Sequence, residues 1–276
     1  MFTTLYIREL QNYLYSLRFQ VSFVIVVLVF TLGSVSFASS FKDMHDNYTK
    51  YSVAQQEAIG KQAENISKVA TARNSFIISP RENSVIADCK ESYLPNRITY
   101  SAYNVFDYSV RHDSNNPLLI RTDSLSWSFI VSMFLSFITL LFAFDAISGE
   151  KEERTLALVF SNAVPRRTFL CSKLLSIITV IGVMELVGII ISLIILAVSG
   201  QVQLNSSFLI ETAGFILISL LFITTFAVFG LLSSVVTRYS NISLLISLCF
   251  WLFAAVVIPN TSVFWAKTLF SIPTSD

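Results

Sequence analysis

Five apolar runs, each long enough to cross a lipid bilayer and almost free of charge, constrain this chain more than any other feature. A membrane-spanning helix needs about 20 mostly apolar residues, because the hydrocarbon core of the bilayer is about 30 Å thick. Only 13% of the residues are charged and 54% are hydrophobic, which is far from the composition of a soluble domain. We therefore predict an all-α polytopic membrane protein with spans at 19–41, 123–147, 173–199, 207–236 and 241–259.

The basic residues of the short loops predict the orientation of these spans. Lys and Arg concentrate in loops on the cytoplasmic side of a membrane. They occur before the first span, between the second and third, and between the fourth and fifth, but the turn at 200–206 has none. We therefore expect a multi-pass protein of the cell (inner) membrane with a cytoplasmic N-terminus and an extracytoplasmic segment at 260–276.

Residues 1–18 are predicted to form an amphipathic helix in the cytoplasmic interface. At helical spacing its apolar side chains share one face: Leu5, Tyr6, Leu10, Tyr13, Leu14 and Leu17. The opposite face carries Arg8, Gln11, Asn12 and Arg18. The alternative is a simple extension of the first span toward the N-terminus.

Residues 42–122 are predicted to form a small extracytoplasmic α+β domain. Its first part, to about Asn74, is polar and has the composition of a helix. The runs FIIS, SVIAD and RITYSAYNVFDYSV then combine β-branched and aromatic residues between turn residues, which is typical of short strands. His45 and His112 are isolated in the sequence, so we expect no metal site.

The charged elbow, residues 148–172, connects the second and third spans. Its glutamates at 150, 152 and 153 crowd a helix start, where carboxylates meet the positive end of the helix dipole. An apolar stripe at helical spacing follows, formed by Leu156, Val159, Phe160 and Ala163. Arg166 and Arg167 could hold lipid phosphates or the carboxylates of a partner. The elbow is either a docking surface for a cytoplasmic partner or an interfacial helix that anchors two spans.

The elbow and the residues before it carry a longer pattern. Residues 145–152 read D-A-I-S-G-E-K-E, followed by Thr155-Leu156, Ser161-Asn162, Arg166 and Lys173. This pattern resembles the cytoplasmic signature of ABC type-2 superfamily permeases, and most closely the branch of multicopper-enzyme maturation and nitrous-oxide-reductase assembly. The chain departs from that signature in having Arg154 for Gly, Ala163 for Pro and Ser172 for Gly.

The resemblance implies a permease subunit whose elbow docks on a separate ABC ATPase and receives its motion. The ATPase-coupling residues would be Asp145, Gly149, Glu150, Glu152, Thr155, Leu156 and Arg166. The sequence has no phosphate loop of the form GxxxxGK[ST], so we expect ATP and Mg on the partner and no cofactor here. Such permeases usually have six spans, so the sixth is expected from a further stretch of chain or from another subunit.

The resemblance also implies partners for this chain. These are the ABC ATPase and a second permease copy or a homologous permease. Apart from the resemblance, we expect membrane lipids as partners and, through residues 42–122, a periplasmic protein. The net charge of +1 gives no reason to expect nucleic-acid binding. The alternative function is a membrane-anchored sensor or scaffold that uses the extracytoplasmic domain to bind a ligand or an envelope protein. The sequence has no HExxH and no paired intramembrane aspartates, so we do not expect an enzyme.

Glu185 lies in the middle of the third span. An ionised carboxylate at that depth costs a few kcal/mol unless it is protonated, paired or hydrated, and such residues usually face the interior of the bundle. Glu185 is either a residue of the substrate path or gate, or one end of an interhelical hydrogen bond. The partner would be a Ser or Thr of a neighbouring span, and Thr224 and Thr225 in the fourth span are available for such a bond.

Overall fold

A computed structural model of the chain describes residues 2–62, 74–77, 79–87, 97–100, 107–109, 125–161, 164–200, 202, 205–259, 261 and 268. Five helices in this part are long and apolar enough to cross a membrane: Leu17–Lys61, Trp127–Glu152, Arg166–Ser199, Ser206–Val236 and Ser240–Val257. The prediction of an all-α polytopic membrane protein with five spans is thereby confirmed. Much of the segment at 42–122 and nearly all of the segment at 260–276 lie outside the described residues.

The N-terminal helix α1 (Phe2–Leu14) is separate from the first span helix α2 (Leu17–Gln62). The break follows from Ser16, whose hydroxyl accepts a hydrogen bond from the Phe19 amide at 3.2 Å and so starts the second helix. The alternative of a simple extension of the first span is therefore wrong. The half-buried face of α1 consists of Leu5, Tyr6, Glu9, Leu10 and Tyr13. Leu14 and Leu17 were predicted on this face but are exposed.

Helix α2 continues past the predicted end of the first span at residue 41 and runs unbroken to Gln62. Three short antiparallel strands follow, β1 (Asn74–Ile77), β2 (Arg97–Tyr100) and β3 (Asp107–Ser109), in the order β1-β2-β3. Their register places Phe76 opposite Ile98, and Ile98 opposite Tyr108.

The predicted strand in the run SVIAD is wrong, because Glu82–Val85 forms a 3-10 helix. The physical reason is local hydrogen bonding. The Ser84 hydroxyl donates to the Arg81 carbonyl oxygen at 2.7 Å, and the Ile86 amide donates to the Asn83 carbonyl oxygen at 3.0 Å. Such short-range bonds satisfy the backbone and compete with a sheet ladder.

The second span contains a π-helical stretch. Its parts are α3 (Trp127–Ile130), the π turn Val131–Leu135 and α4 (Ser136–Ala143). The elbow then contributes α5 (Ser148–Glu152) and α6 (Leu156–Ser161). The remaining spans are α7 (Arg166–Ser199), α8 (Ser206–Val236) and α9 (Ser240–Trp251), the last continued by a π-helical stretch at Leu252–Val257.

Small and hydroxyl-bearing residues hold these spans together. At Gly230 on α8, a Cβ atom would lie 2.5 Å from the Cβ of Ala143, so glycine is what permits the close approach of α8 to α4. The Ser233 hydroxyl lies 3.1 Å from the Ser243 hydroxyl and 2.7 Å from the Ser247 hydroxyl, which bonds α8 to α9. Lipid offers no hydrophobic driving force between helices, so such contacts supply the packing.

Two compact units make up the chain. The candidate site lies within the unit of Met1–Phe30, Phe129–Ile190 and Glu211–Asp276. In the other unit, Thr31–Ser128 and Ile191–Ile210, the Ser192 hydroxyl accepts hydrogen bonds from the Trp127 indole at 2.8 Å and from the Ser34 hydroxyl at 2.6 Å. Three buried polar side chains thereby satisfy one another.

Candidate functional site

The elbow folds as two short helices, α5 and α6, joined by Glu153, Arg154 and Thr155. Helix α5 ends in a Schellman motif. The Thr155 amide donates to the Glu150 carbonyl oxygen at 3.0 Å, and the Arg154 amide donates to the Lys151 carbonyl oxygen at 3.3 Å. Arg154 takes the left-handed position of this motif with φ of 59°, the position that glycine usually fills. The special backbone angle therefore persists although Arg154 stands where the signature has Gly.

Replacing Arg154 by glycine should raise the free energy of unfolding by about 1 kcal/mol, because a side chain at positive φ clashes with its own backbone. Thermal unfolding of the detergent-solubilised protein measures the change. Glu153→Gly is the matched control, since Glu153 has φ of −77° and gains nothing from losing its Cβ. Equal shifts for the two glycine variants would contradict the prediction.

A buried ammonium group joins three elements around the elbow. Lys173 on α7 has a side chain that is only 4% exposed. Its Nζ lies 3.1 Å from Oε1 of Glu9 on α1 and 2.7 Å from Oε1 of Glu150 on α5. The centre of the Phe169 ring lies 5.1 Å from the same nitrogen. A buried charge must be paired, so these two carboxylates fix α1 and α5 to the start of the third span.

A second ion pair lies at the end of the second span. The Arg18 guanidinium is paired with Asp145 and lies 5.3 Å from the centre of the Phe144 ring. Tyr13 of α1 packs on Phe142, with ring centres 5.6 Å apart. Burial raises the pKa of the Tyr13 phenol, and the nearby carboxylates of Glu9, Asp145 and Glu150 raise that pKa further. The N-terminal residues thus pack directly on the end of the second span.

The other residues that the sequence predicted for coupling lie along the elbow. Glu152 Oε2 accepts hydrogen bonds from the Ser240 amide at 3.3 Å and the Ser240 hydroxyl at 3.0 Å. The Gly149 amide continues the helix by donating to the Asp145 carbonyl oxygen at 2.9 Å. The Thr155 hydroxyl donates to the Glu150 carbonyl oxygen at 3.3 Å. These contacts give the predicted residues structural partners within the chain.

Helix α6 presents apolar surface. Leu158 is 67% exposed, whereas Leu156, Val159 and Phe160 of the predicted stripe are half-buried and Ala163 lies outside the described residues. The guanidinium of Arg166 lies 5.9 Å from the centre of the Phe160 ring. A shallow groove beside α6 is lined by Lys151, Arg154, Leu156, Ala157 and Phe160. The groove combines apolar walls with the Arg154 side chain, whereas the Lys151 ammonium donates to carbonyl oxygens at the end of α8.

Sequence reasoning missed the residues that hold the predicted coupling residues in place: Glu9, Arg18, Lys173 and Ser240. One signal was available, because Lys173 stands at the head of an apolar run and a buried lysine needs a counter-ion. Nothing in the sequence identifies Glu9 as that counter-ion. It comes from the N-terminal helix, which only the fold brings beside α7.

Glu185 lies away from the elbow in the middle of α7 and is fully buried. The hydroxyl of Ser219 on α8 donates a hydrogen bond to its Oε1, while Oε2 has no hydrogen-bond partner among the described residues. The proposed partners are wrong: Thr224 and Thr225 donate to carbonyl oxygens of their own helix, at 2.7 and 2.5 Å. The expected interhelical bond to a Ser or Thr of the neighbouring span is therefore present, through Ser219.

One family of known proteins matches almost the whole length of the chain. A family model described as ABC-2 family transporter protein matches residues 3–274. No curated protein gives a significant match. No solved structure does so either.

Proposed function

The chain belongs to the ABC-2 transporter family, and from this premise we propose that it couples ATP hydrolysis on a separate ATPase subunit to movement of a substrate across or out of the membrane. Family membership makes it a permease subunit with several membrane spans. The match over residues 3–274 favours this function over a membrane-anchored sensor or scaffold. The multicopper-enzyme-maturation branch stays a prediction from the elbow residues.

The exposed helix α6 is the observation that carries the coupling proposal. A side chain as apolar as Leu158 is 67% exposed on a six-residue helix between two spans, beside a groove that Arg154 lines. An ATPase segment with an apolar side chain and a carboxylate fits that surface. In this proposal Leu156 and Arg154 contact the ATPase, while Glu150 and Glu152 hold the elbow in place through their partners within the chain.

The proposal extends to orientation and assembly. The basic loops favour a cytoplasmic elbow and N-terminus in the inner membrane. Two permease subunits, identical or homologous, and two ATPases form the working unit, and the ATPases hold ATP and Mg. We propose that the transporter is an exporter or an assembly transporter.

Changing Leu158 to aspartate should lower the amount of ATPase that co-purifies by about tenfold or more, because losing a central apolar anchor costs about 2 kcal/mol or more. The permease, carrying an affinity tag, is co-expressed with a candidate ABC ATPase of the same organism, and the ATPase recovered is measured by immunoblot. Val53→Asp is the matched control, because Val53 is also exposed but lies on the part of α2 predicted outside the cell.

The two variants separate the outcomes. Loss of the ATPase from Leu158→Asp and its retention by Val53→Asp supports docking on α6. Equal recovery from both variants and the wild type contradicts docking on this helix, and no recovery with the wild type contradicts the pairing with that ATPase.

A further inference from the structure

The elbow also contacts the turn between the fourth and fifth spans. The C-terminus of α8 presents carbonyl groups that have no partner within the helix. The Lys151 ammonium donates to the carbonyl oxygens of Ser234 at 3.2 Å and Thr237 at 2.9 Å, and also to that of Val235. A cation at the negative end of the α8 dipole is favourable as well as hydrogen-bonded.

The next residue of the elbow meets the start of the following helix. Glu152 accepts hydrogen bonds from the amide and hydroxyl of Ser240, the first residue of α9. The residue before it, Tyr239, makes no side-chain cap bond of its own. The N-terminus of α9 is the positive end of that helix dipole, so the Glu152 carboxylate is favourable there. Adjacent side chains of α5 therefore bond the end of α8 and the beginning of α9.

The contact is reciprocal. The hydroxyl of Ser234, fully buried on α8, accepts hydrogen bonds from the amides of Ile147 at 2.9 Å and Ser148 at 2.8 Å. These amides belong to the start of α5, where the helix supplies no acceptor for them. Ser234 at the end of α8 thus accepts bonds from the start of α5. In return, Lys151 and Glu152 of α5 bond the end of α8 and the start of α9.

We infer that Lys151, Glu152 and Ser234 form an elbow–hairpin clamp, through which α5 moves the fourth and fifth spans together with the second and third. Chain connectivity links the elbow directly to the second and third spans only. The clamp adds a contiguous network of hydrogen bonds between the elbow and the fourth and fifth spans. Such a network can carry motion from one helix to another. The inference rests on the proposed function for the source of that motion, which is the docked ATPase.

A distance measurement tests the clamp. Spin labels are placed on cysteines at Glu153 and Arg238, which are both exposed, in a protein whose Cys89, Cys171 and Cys249 are replaced by serine. Pulsed electron spin resonance gives the distance distribution for the permease alone and for its complex with the ATPase, without nucleotide and with ATP trapped by vanadate. The clamp is opened by Lys151→Met with Ser234→Ala. Ser176→Ala is the control, since among the described residues its buried hydroxyl bonds only to the Lys173 carbonyl oxygen of its own helix, at 2.9 Å.

In the permease alone we expect a narrow distribution for the labelled parent and the Ser176→Ala control, and a broader one for the double variant. In the complex we expect the parent distance to stay constant when ATP is trapped and the double-variant distance to shift. An unchanged distribution in the double variant overturns the clamp whether or not the ATPase binds. A parent distance that shifts on ATP trapping overturns it as well. Failure of the parent to bind the ATPase overturns the proposed function, while the measurement on the permease alone still decides the clamp.

Discussion

Replacing Glu9 and Glu150 together by glutamine should lower the free energy of unfolding by about 3–5 kcal/mol. The Lys173 ammonium is 4% exposed and has these two carboxylates as its ion-pair partners among the described residues. Their removal leaves a buried cation without a counter-ion, and amide oxygens compensate only part of its charge. Each single variant should cost less, because one carboxylate remains within hydrogen-bond distance.

The matched control adds Lys173→Met to the double variant. A buried ion pair replaced by uncharged side chains of similar size is often nearly neutral, so stability should return toward the wild-type value. Thermal unfolding in detergent, compared across the single, double and triple variants, measures both effects. If the triple variant is as unstable as the double variant, the loss comes from the glutamine substitutions themselves and the charge argument is wrong.

The same network affects any test of ATPase docking. Reversing the charge of Glu150 would place a cation beside Lys173, so the elbow would lose its attachment to α7. Weaker ATPase binding in such a variant would follow from the altered fold even if Glu150 never touched the ATPase. Leu158 avoids this ambiguity because its side chain is already exposed to the surroundings.

The spans could be predicted because bilayer thickness sets a length and forbids charge, and both are local properties of the sequence. The pairing of Lys173 with Glu9 could not, because 164 positions separate the two residues. The left-handed angle at Arg154 has one sequence signal, the Gly of the family signature at this position, since an arginine itself gives no local reason for the angle. The two backbone hydrogen bonds at the end of α5 fix the angle at Arg154, and the strain of a side chain at positive φ remains.

The partner of Glu185 shows where pattern reasoning fails within a correctly predicted helix. Ser219 and Thr224 differ by five positions, and a helix turns about 100° per residue, so they point in directions well apart. Composition offers hydroxyl groups on both faces of α8. Only the packing of α7 against α8 selects the face with Ser219.

Glu185→Met should leave the free energy of unfolding unchanged or raise it, whereas Ser219→Ala should lower it by about 1–3 kcal/mol. Methionine removes a fully buried carboxyl whose Oε2 has no partner among the described residues. Ser219 then keeps an acceptor, since its hydroxyl also lies 2.9 Å from the Ile216 carbonyl oxygen. Alanine at 219 instead leaves the carboxyl without its donor. Thermal unfolding of the two variants distinguishes these cases, and a large loss with Glu185→Met contradicts the prediction.

If methionine can replace Glu185 without loss of stability, the carboxyl of Glu185 has a role other than packing. If Glu185 belongs to the substrate path, water must reach it at some stage of the ATPase cycle. A water-soluble carbodiimide with glycine ethyl ester should then modify Glu185 faster in the ATP-trapped complex than in the nucleotide-free one, as measured by mass spectrometry. Glu211, on the same bundle near the start of α8, serves as the internal reference. Equal modification in both states would favour the remaining interpretation, in which Glu185 serves only to bond α7 to α8.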